Sequence, residues 1–428
     1  MTDLTTRRDV IAMTGAAAVA SSLPLMSFAQ ARGRVIVVGG GFGGATCAGH
    51  LRRLAPDLDV TLIEENAAFA TCPFSNTVIA GLNPMEFITH GFGGLEAKGM
   101  NVVQARVTQI DTENRTVRLA DGETLEYDRL VLSPGIEMKW NAVDGYDEAA
   151  SEVMPHAWKA GPQTDLLRRQ IEAMEDGGTV VMGIPTTPYR CPPGPYERAS
   201  LIAHYLKTYK PRSKLILLDA KDGFSKQDLF EEAWAELYPD IIEWVPFSQM
   251  GAFVGVDPST MTVHTDFVDQ QGDVVNFIPP QRAASIVHDA GLTEGNDWCE
   301  VDHRTFESPA APGVHVFGDA AFMGAMPKSG FSAASQAKYC AHVIAALLSD
   351  AELPEANFTN TCYSLAAPEY GISVADVYHI DGSGTIASVE GAGGLSPVGA
   401  DAEFRRREAD YAKGWYASHM ADIYGVPG

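Results

Sequence analysis

Residues 34–65 read RVIVVGGGFGGATCAGHLRRLAPDLDVTLIEE, and the fold of the chain is decided by how this stretch is read. Val35, Ile36, Val37 and Val38 form an aliphatic run suited to a strand buried on both faces of a parallel sheet. Gly39, Gly41 and Gly44 then give Gly-x-Gly-x-x-Gly. The first glycine permits a sharp turn, the second lets backbone approach a pyrophosphate, and the third lets a helix over 43–54 pack close to the strand. That helix aims its positive end at phosphates. A second strand over 60–63 ends at Glu64, placed to accept hydrogen bonds from ribose hydroxyls. An acid rather than an arginine there disfavours a 2'-phosphate, so the ligand expected is FAD or NAD.

A chain of 428 residues is long enough for two or three domains. Its net charge of -24 argues against nucleic acid and anionic membrane surfaces, which need clustered Lys and Arg. A basic partner is favoured. Residues 1–31 carry Arg7 and Arg8, a short apolar run broken by Thr14, Gly15 and Pro24, and small residues at 27–31. This is the pattern of a cleaved twin-arginine export signal, not of a membrane span. Of the six cysteines none form C-x-x-C, so neither a zinc ribbon nor a c-type haem site is encoded and no metal site is expected. Any haem must sit on another chain.

Cys72 lies in the loop after Glu64, within reach of the isoalloxazine end of an extended FAD. It can form a thioether to the ring, or be a half-buried loop cysteine. Residues 102–132 alternate around Asp121-Gly122 as an antiparallel meander and finish in a buried strand, with a domain boundary at 136–146. A helix over 163–174 and a strand over 179–182 lead to GIPTTPYRCPPG, where a nicotinamide-binding glycine turn belongs. Proline has no amide to offer phosphate, so the second dinucleotide site is read as lost. Cys191 stands there instead, ahead of a helix over 195–208, a position expected to lower a thiol pKa. Glu197, in its first turn, reads either as a favourable charge at the helix start or as an acid/base near the sulfur.

Strands are expected over 214–219 and 274–278, and the chain then returns through GVHVFGDA, whose Asp319 is placed for a ribityl hydroxyl. Lys328, at the start of a helix over 329–348, reads as a stabiliser of negative charge on a reduced flavin or as a solvated surface lysine. An aromatic helix over 411–424 holds Trp415, read first as packing.

Taken together, VVGGGFGGAT, TCPFSN, PHAWKAG, RCPPGPYERAS, IPPQRA, FGDA, MPKSGFSA, NTCYSLAAPEYGISVA and GWY resemble the flavoprotein subunit of flavocytochrome c sulfide dehydrogenase, of the glutathione reductase class. The resemblance runs from residue 34 to about 423. It implies an α/β fold of two Rossmann-like domains, one binding FAD (32–145 and 282–352) and one degenerate (146–281), with a C-terminal interface domain at 353–428. FAD joined through Cys72, a redox-active disulfide between Cys191 and Cys362, Glu197 beside it and Trp415 close by are also implied. So are periplasmic location, sulfide as substrate and a c-type cytochrome subunit carrying haem c. Hydrosulfide is then expected to open the bridge as a persulfide, with electrons leaving through FAD to the haem. Pro73 departs from the family pattern and bears on the Cys72 link. Two other readings are a sulfide:quinone reductase and a flavin-bearing accessory protein of a sulfur-oxidising complex.

Overall fold

The computed structural model describes residues 33–425; the expected export signal lies outside them. Val35, Ile36 and Val37 are at most 3% exposed and sit in the strand Arg34–Val38, at the centre of a six-stranded sheet. Burying each such aliphatic side chain contributes about 1.5–3 kcal/mol, which explains why the run takes the middle position. Its neighbours are Asp59–Glu64 on one side and Arg129–Leu132 on the other, both parallel to it. Asn101–Gln104 and Ala311–Val316 extend the sheet in the same direction, and the two-residue strand Glu307–Ser308 closes one edge antiparallel. Residues 101–104 thus leave the expected meander, which is confined to Val107–Asp111, Thr116–Leu119 and Thr124–Glu126.

A second parallel sheet runs Ile242–Val245, Lys214–Asp219, Thr179–Ile184, Val274–Phe277. The short antiparallel pair Ile136–Met138 with Gln281–Ala283 joins the outgoing and returning chain. The architecture is therefore the α/β one expected, with two sheets of dinucleotide-binding type and a C-terminal domain.

That last domain is a long hairpin, Asn357–Ala367 with Tyr370–Ile380, followed by a helix Ala402–Tyr424. The helix starts nine residues before the expected 411, where the Asp401 carboxylate accepts the Phe404 amide at 2.8 Å. Its far end returns to the glycine turn: the Tyr424 hydroxyl donates to the Gly40 carbonyl at 2.9 Å, and its ring packs on Phe69 and His90. A Cβ on Gly94 would come within 1.7 Å of the Tyr424 carbonyl oxygen, so only glycine admits this approach.

Candidate active site

The glycine turn has the geometry its residue types require. Gly39 holds φ +105, and a Cβ there would lie 2.4 Å from the Ser133 carbonyl oxygen. A Cβ on Gly44 would lie 1.9 Å from the Gly39 oxygen, which is the close strand-to-helix contact expected of the third glycine. The following helix, Phe42–Leu54, begins at Gly41 with no side-chain cap and no acid in its first turn. Its free amides face a cavity of about 600 Å³. Glu64 lines that cavity and is fixed by two backbone amides, Gly40 at 2.7 Å and Asn66 at 3.0 Å.

Cys72, Cys191 and Cys362 line the same cavity. Of the three, Cys191 influences the titration of both others. The resemblance pairs Cys191 with Cys362, and the structure brings both, from distant parts of the chain, to this one cavity. The expected lowering of the Cys191 pKa is corrected. The neighbouring Cys362 and Cys72 groups, with burial, push this thiol well above the ordinary value. The helix it precedes, Gly194–Tyr209, takes its backbone carbonyl instead, which accepts the Gly194 amide at 2.8 Å. Its neighbours gain what it loses: Cys191, with Arg190 and Arg198 nearby, takes Cys72 down to about 6. Cys362 is lowered by Cys191 and then by Lys226.

Each sulfur is pinned through its backbone by a different part of the chain. The Cys72 carbonyl accepts the Ser75 amide and hydroxyl at 3.0 and 2.7 Å, and the preceding Thr71 hydroxyl meets Tyr416 of the C-terminal helix at 2.7 Å. Pro73 is accommodated: its carbonyl accepts the Thr71 hydroxyl at 2.9 Å, and Phe74 takes up a φ of 66. Cys191, also left-handed at φ 58, donates its amide to the Lys328 carbonyl at 2.7 Å. The Cys362 carbonyl accepts the Lys226 ammonium at 2.9 Å, and the same ammonium reaches the Ser364 hydroxyl at 2.7 Å.

Glu197 lies among these groups. Its carboxylate accepts the Leu365 amide at 2.9 Å and the Asn76 side-chain amide at 2.8 Å. Burial raises its pKa against the pull of those two donors, Lys226 and Arg198. Buried Arg198 is spent on structure, donating to Asn76, Asn276 and the carbonyls of His156 and Ala157.

Asp319 lines the cavity with a buried Oδ1 that has no partner among the described residues; burial raises its pKa, opposed by Arg190 and Lys328. Trp415 also lines it, its ring stacked on Phe331 and its buried Nε1 likewise without a partner. Lys328 does not line it. Its ammonium turns away to the carbonyls of Asp319 and Ala321 at 3.0 and 2.7 Å and sits 3.8 Å from the Trp298 ring, in a position where burial lowers its pKa to about 8. The expectation that it faces a reduced flavin gives way to this packing role.

Sequence reasoning assigned nothing to Asn76, Arg190, Arg198 or Lys226. Asn76, Arg190 and Arg198 fall in quoted motifs next to reactive residues, where a polar group beside a cysteine was the available signal. Lys226 is remote in sequence and gave none.

Three models of known families match the chain. Residues 164–279 match the sulfide dehydrogenase (flavocytochrome c) flavoprotein chain, central. Residues 354–424 match flavocytochrome c sulphide dehydrogenase, flavin-binding, and residues 33–169 match pyridine nucleotide-disulphide oxidoreductase. The sulfide dehydrogenase flavoprotein chain of Chlorobaculum thiosulfatiphilum is 64% identical over 45 residues, 10% of this chain and 94% of that sequence. The mitochondrial sulfide:quinone oxidoreductase of Mus musculus is 21% identical over 304 residues, covering 67% of this chain and 65% of the relative, just under two thirds of its length. Among solved structures, the sulfide:quinone oxidoreductase of Aquifex aeolicus superimposes with a TM-score of 0.72 at 18% identity, covering 92% of this chain and 93% of that one, a likeness of fold.

Proposed function

Because the chain belongs to the family of flavocytochrome c sulfide dehydrogenase flavoprotein chains, we propose that it oxidises sulfide at the cysteine end of the cavity and passes the electrons to a c-type cytochrome subunit. The observation that carries this reading is that Cys191 and Cys362, from distant parts of the chain, both line the cavity that also holds the glycine turn.

The residues present fit FAD. Gly39, Gly41 and the uncapped helix start would take the phosphates, Glu64 the ribose, and the unpartnered Asp319 oxygen a ribityl hydroxyl. Cys72, the low-pKa thiol at that site, would supply the covalent thioether. FAD bound there accepts electrons in pairs and releases them singly, which is what joins a sulfide donor to a haem.

The chain's own part begins with the Cys191/Cys362 pair as a disulfide. Hydrosulfide attacks one sulfur, the S–S bond breaks, and the products are a cysteine persulfide and a cysteine thiolate, with charge conserved. Arg190, Arg198 and Lys159 line the cavity, and Lys226 sits against Cys362. These cations favour entry of an anion into a protein of net charge -24 and stabilise the departing thiolate. Where the lost nicotinamide turn stood, the loop after Thr179–Ile184 delivers Cys191 to the cavity. The periplasm, reached by the twin-arginine route, is the compartment proposed, supported by Arg7, Arg8 and the small residues at 27–31.

Sulfide titration followed by flavin bleaching tests the reading. Wild type should bleach and both Cys191→Ser and Cys362→Ser should fail; unimpaired bleaching in both variants removes the disulfide from the mechanism. Adding cytochrome c or a soluble quinone to the sulfide-reduced protein separates the acceptors, and reoxidation by quinone alone would reassign the partner.

A further inference from the structure

The loop around Cys72 is held from the far end of the chain, by a contact to which the proposed reaction gives no part. Thr71 is fully buried, and its hydroxyl donates to the Pro73 carbonyl at 2.9 Å, so that the bond closes around Cys72. A hydroxyl has a single hydrogen to give. The Thr71 oxygen, having spent its own, accepts at its other contact, the Tyr416 hydroxyl at 2.7 Å. Tyr416 then donates to Thr71, which is nearer than the Phe87 carbonyl at 3.3 Å, and accepts from His90 Nε2 at 2.9 Å. The result is one directed chain, from His90 to Tyr416 to Thr71 to Pro73, that ends around the cysteine. Burial lowers the His90 pKa, and a neutral ring carrying its hydrogen on Nε2 is what this chain requires.

We propose that Tyr416 is a positioning residue for the attachment of flavin at Cys72: once the C-terminal helix has docked, its hydroxyl locks the Thr71–Pro73 turn and so presents the sulfur to the ring. This rests on the Cys72 link assigned above. In that attachment the Cys72 sulfur gains a bond to a ring methyl carbon. The thiol and the methyl each give up one hydrogen, and both hydrogens, two protons with two electrons, pass to the oxidised ring, so no outside oxidant is needed. Such a bond is demanding of placement, since an error of about 1 Å can cost on the order of 100-fold in rate. The same helix also reaches the glycine turn, where the Tyr424 hydroxyl donates to the Gly40 carbonyl and the Tyr424 ring stacks on His90 at 5.4 Å. His90 therefore meets both tyrosines, and one helix sets the glycine turn and the Cys72 loop in register.

The test takes the full chain purified with its flavin and compares total flavin, by absorbance, with the share that stays on the protein after acid precipitation. Tyr416→Phe keeps the ring against Phe74 and Phe87, at 4.6 and 5.3 Å, and removes only the hydroxyl. Total flavin should match wild type while the retained share falls severalfold. Thr71→Val should lower the share in the same way, and Thr71→Ser, which keeps the hydroxyl, should hold it at the wild-type level. The Thr71 pair decides the matter should Tyr416→Phe fail to fold. A wild-type share in both Tyr416→Phe and Thr71→Val overturns the proposal, and so does a share that falls as far in Thr71→Ser as in Thr71→Val. Release of all flavin from wild type by acid would instead defeat the Cys72 link itself, and the proposal with it.

Discussion

The Glu197 carboxylate accepts the Leu365 amide at 2.9 Å, and so ties the helix that follows Cys191 to the strand that carries Cys362. Its other oxygen takes the Asn76 side-chain amide, whose own oxygen is already held by Arg198. Glu197→Gln would therefore set one amide donor against another, since Asn76 cannot flip without losing Arg198. We expect a loss of about 1–3 kcal/mol in urea unfolding, the cost of a buried donor left unmade. Slower sulfide-dependent bleaching should accompany it; unchanged stability and rate would show that the tie is dispensable.

Cys72→Ser should convert a flavin that stays with acid-precipitated protein into one that is released to the supernatant. Adding Asp319→Leu to that background removes the unpartnered oxygen in the cavity, and the flavin should then be lost on gel filtration under native conditions. Retention of flavin after acid precipitation of Cys72→Ser would place the link elsewhere.

With Cys72 lowered to about 6, the reduced, flavin-free chain should alkylate there with a midpoint near pH 6, where an ordinary thiol is almost wholly protonated. The same shift bears on stability. The folded pKa is depressed below the ordinary thiol value of 9.0, so the stabilisation is full above pH 9 and declines as pH falls towards 6. Cys72→Ser should accordingly lose the most relative to wild type at high pH, measured by thermal unfolding of flavin-free protein across that window.

Lys226→Met separates charge from packing. Methionine keeps the length of the chain but leaves the Cys362 carbonyl and the Ser364 hydroxyl without their buried donor, at a cost of about 1–3 kcal/mol. Cys362, however, loses the nearby cation that helps hold it down. Its alkylation profile should move to higher pH, and the unfolding midpoint should fall by the modest amount that cost implies.

How much of this was legible followed from how local each signal is. The turn at Gly39, Gly41 and Gly44 and the acid at Glu64 are written within one strand-helix-strand unit, and the structure has that unit at its centre. The first half of the helix Ala402–Tyr424 was missed because Glu403, Arg406, Arg407 and Asp410 give no apolar period; the capping Asp401 was the overlooked sign. Residues 101–104 are an edge strand whose apolar pair merges with the alternation of the meander that follows. Lys328 carries a charge at a helix start, and nothing in its neighbours announces that Trp298 and two carbonyls take its ammonium. Cys72, Cys191 and Cys362 reach one cavity from separate parts of the chain, and no spacing encodes that convergence.

Tyr424 closes on Gly40 across almost the whole length of the described chain. During synthesis the glycine turn emerges from the ribosome well before the helix whose Tyr424 closes over it. A nascent polypeptide therefore carries an unroofed glycine loop until Tyr424 has been made, and its hold on a dinucleotide should tighten only then.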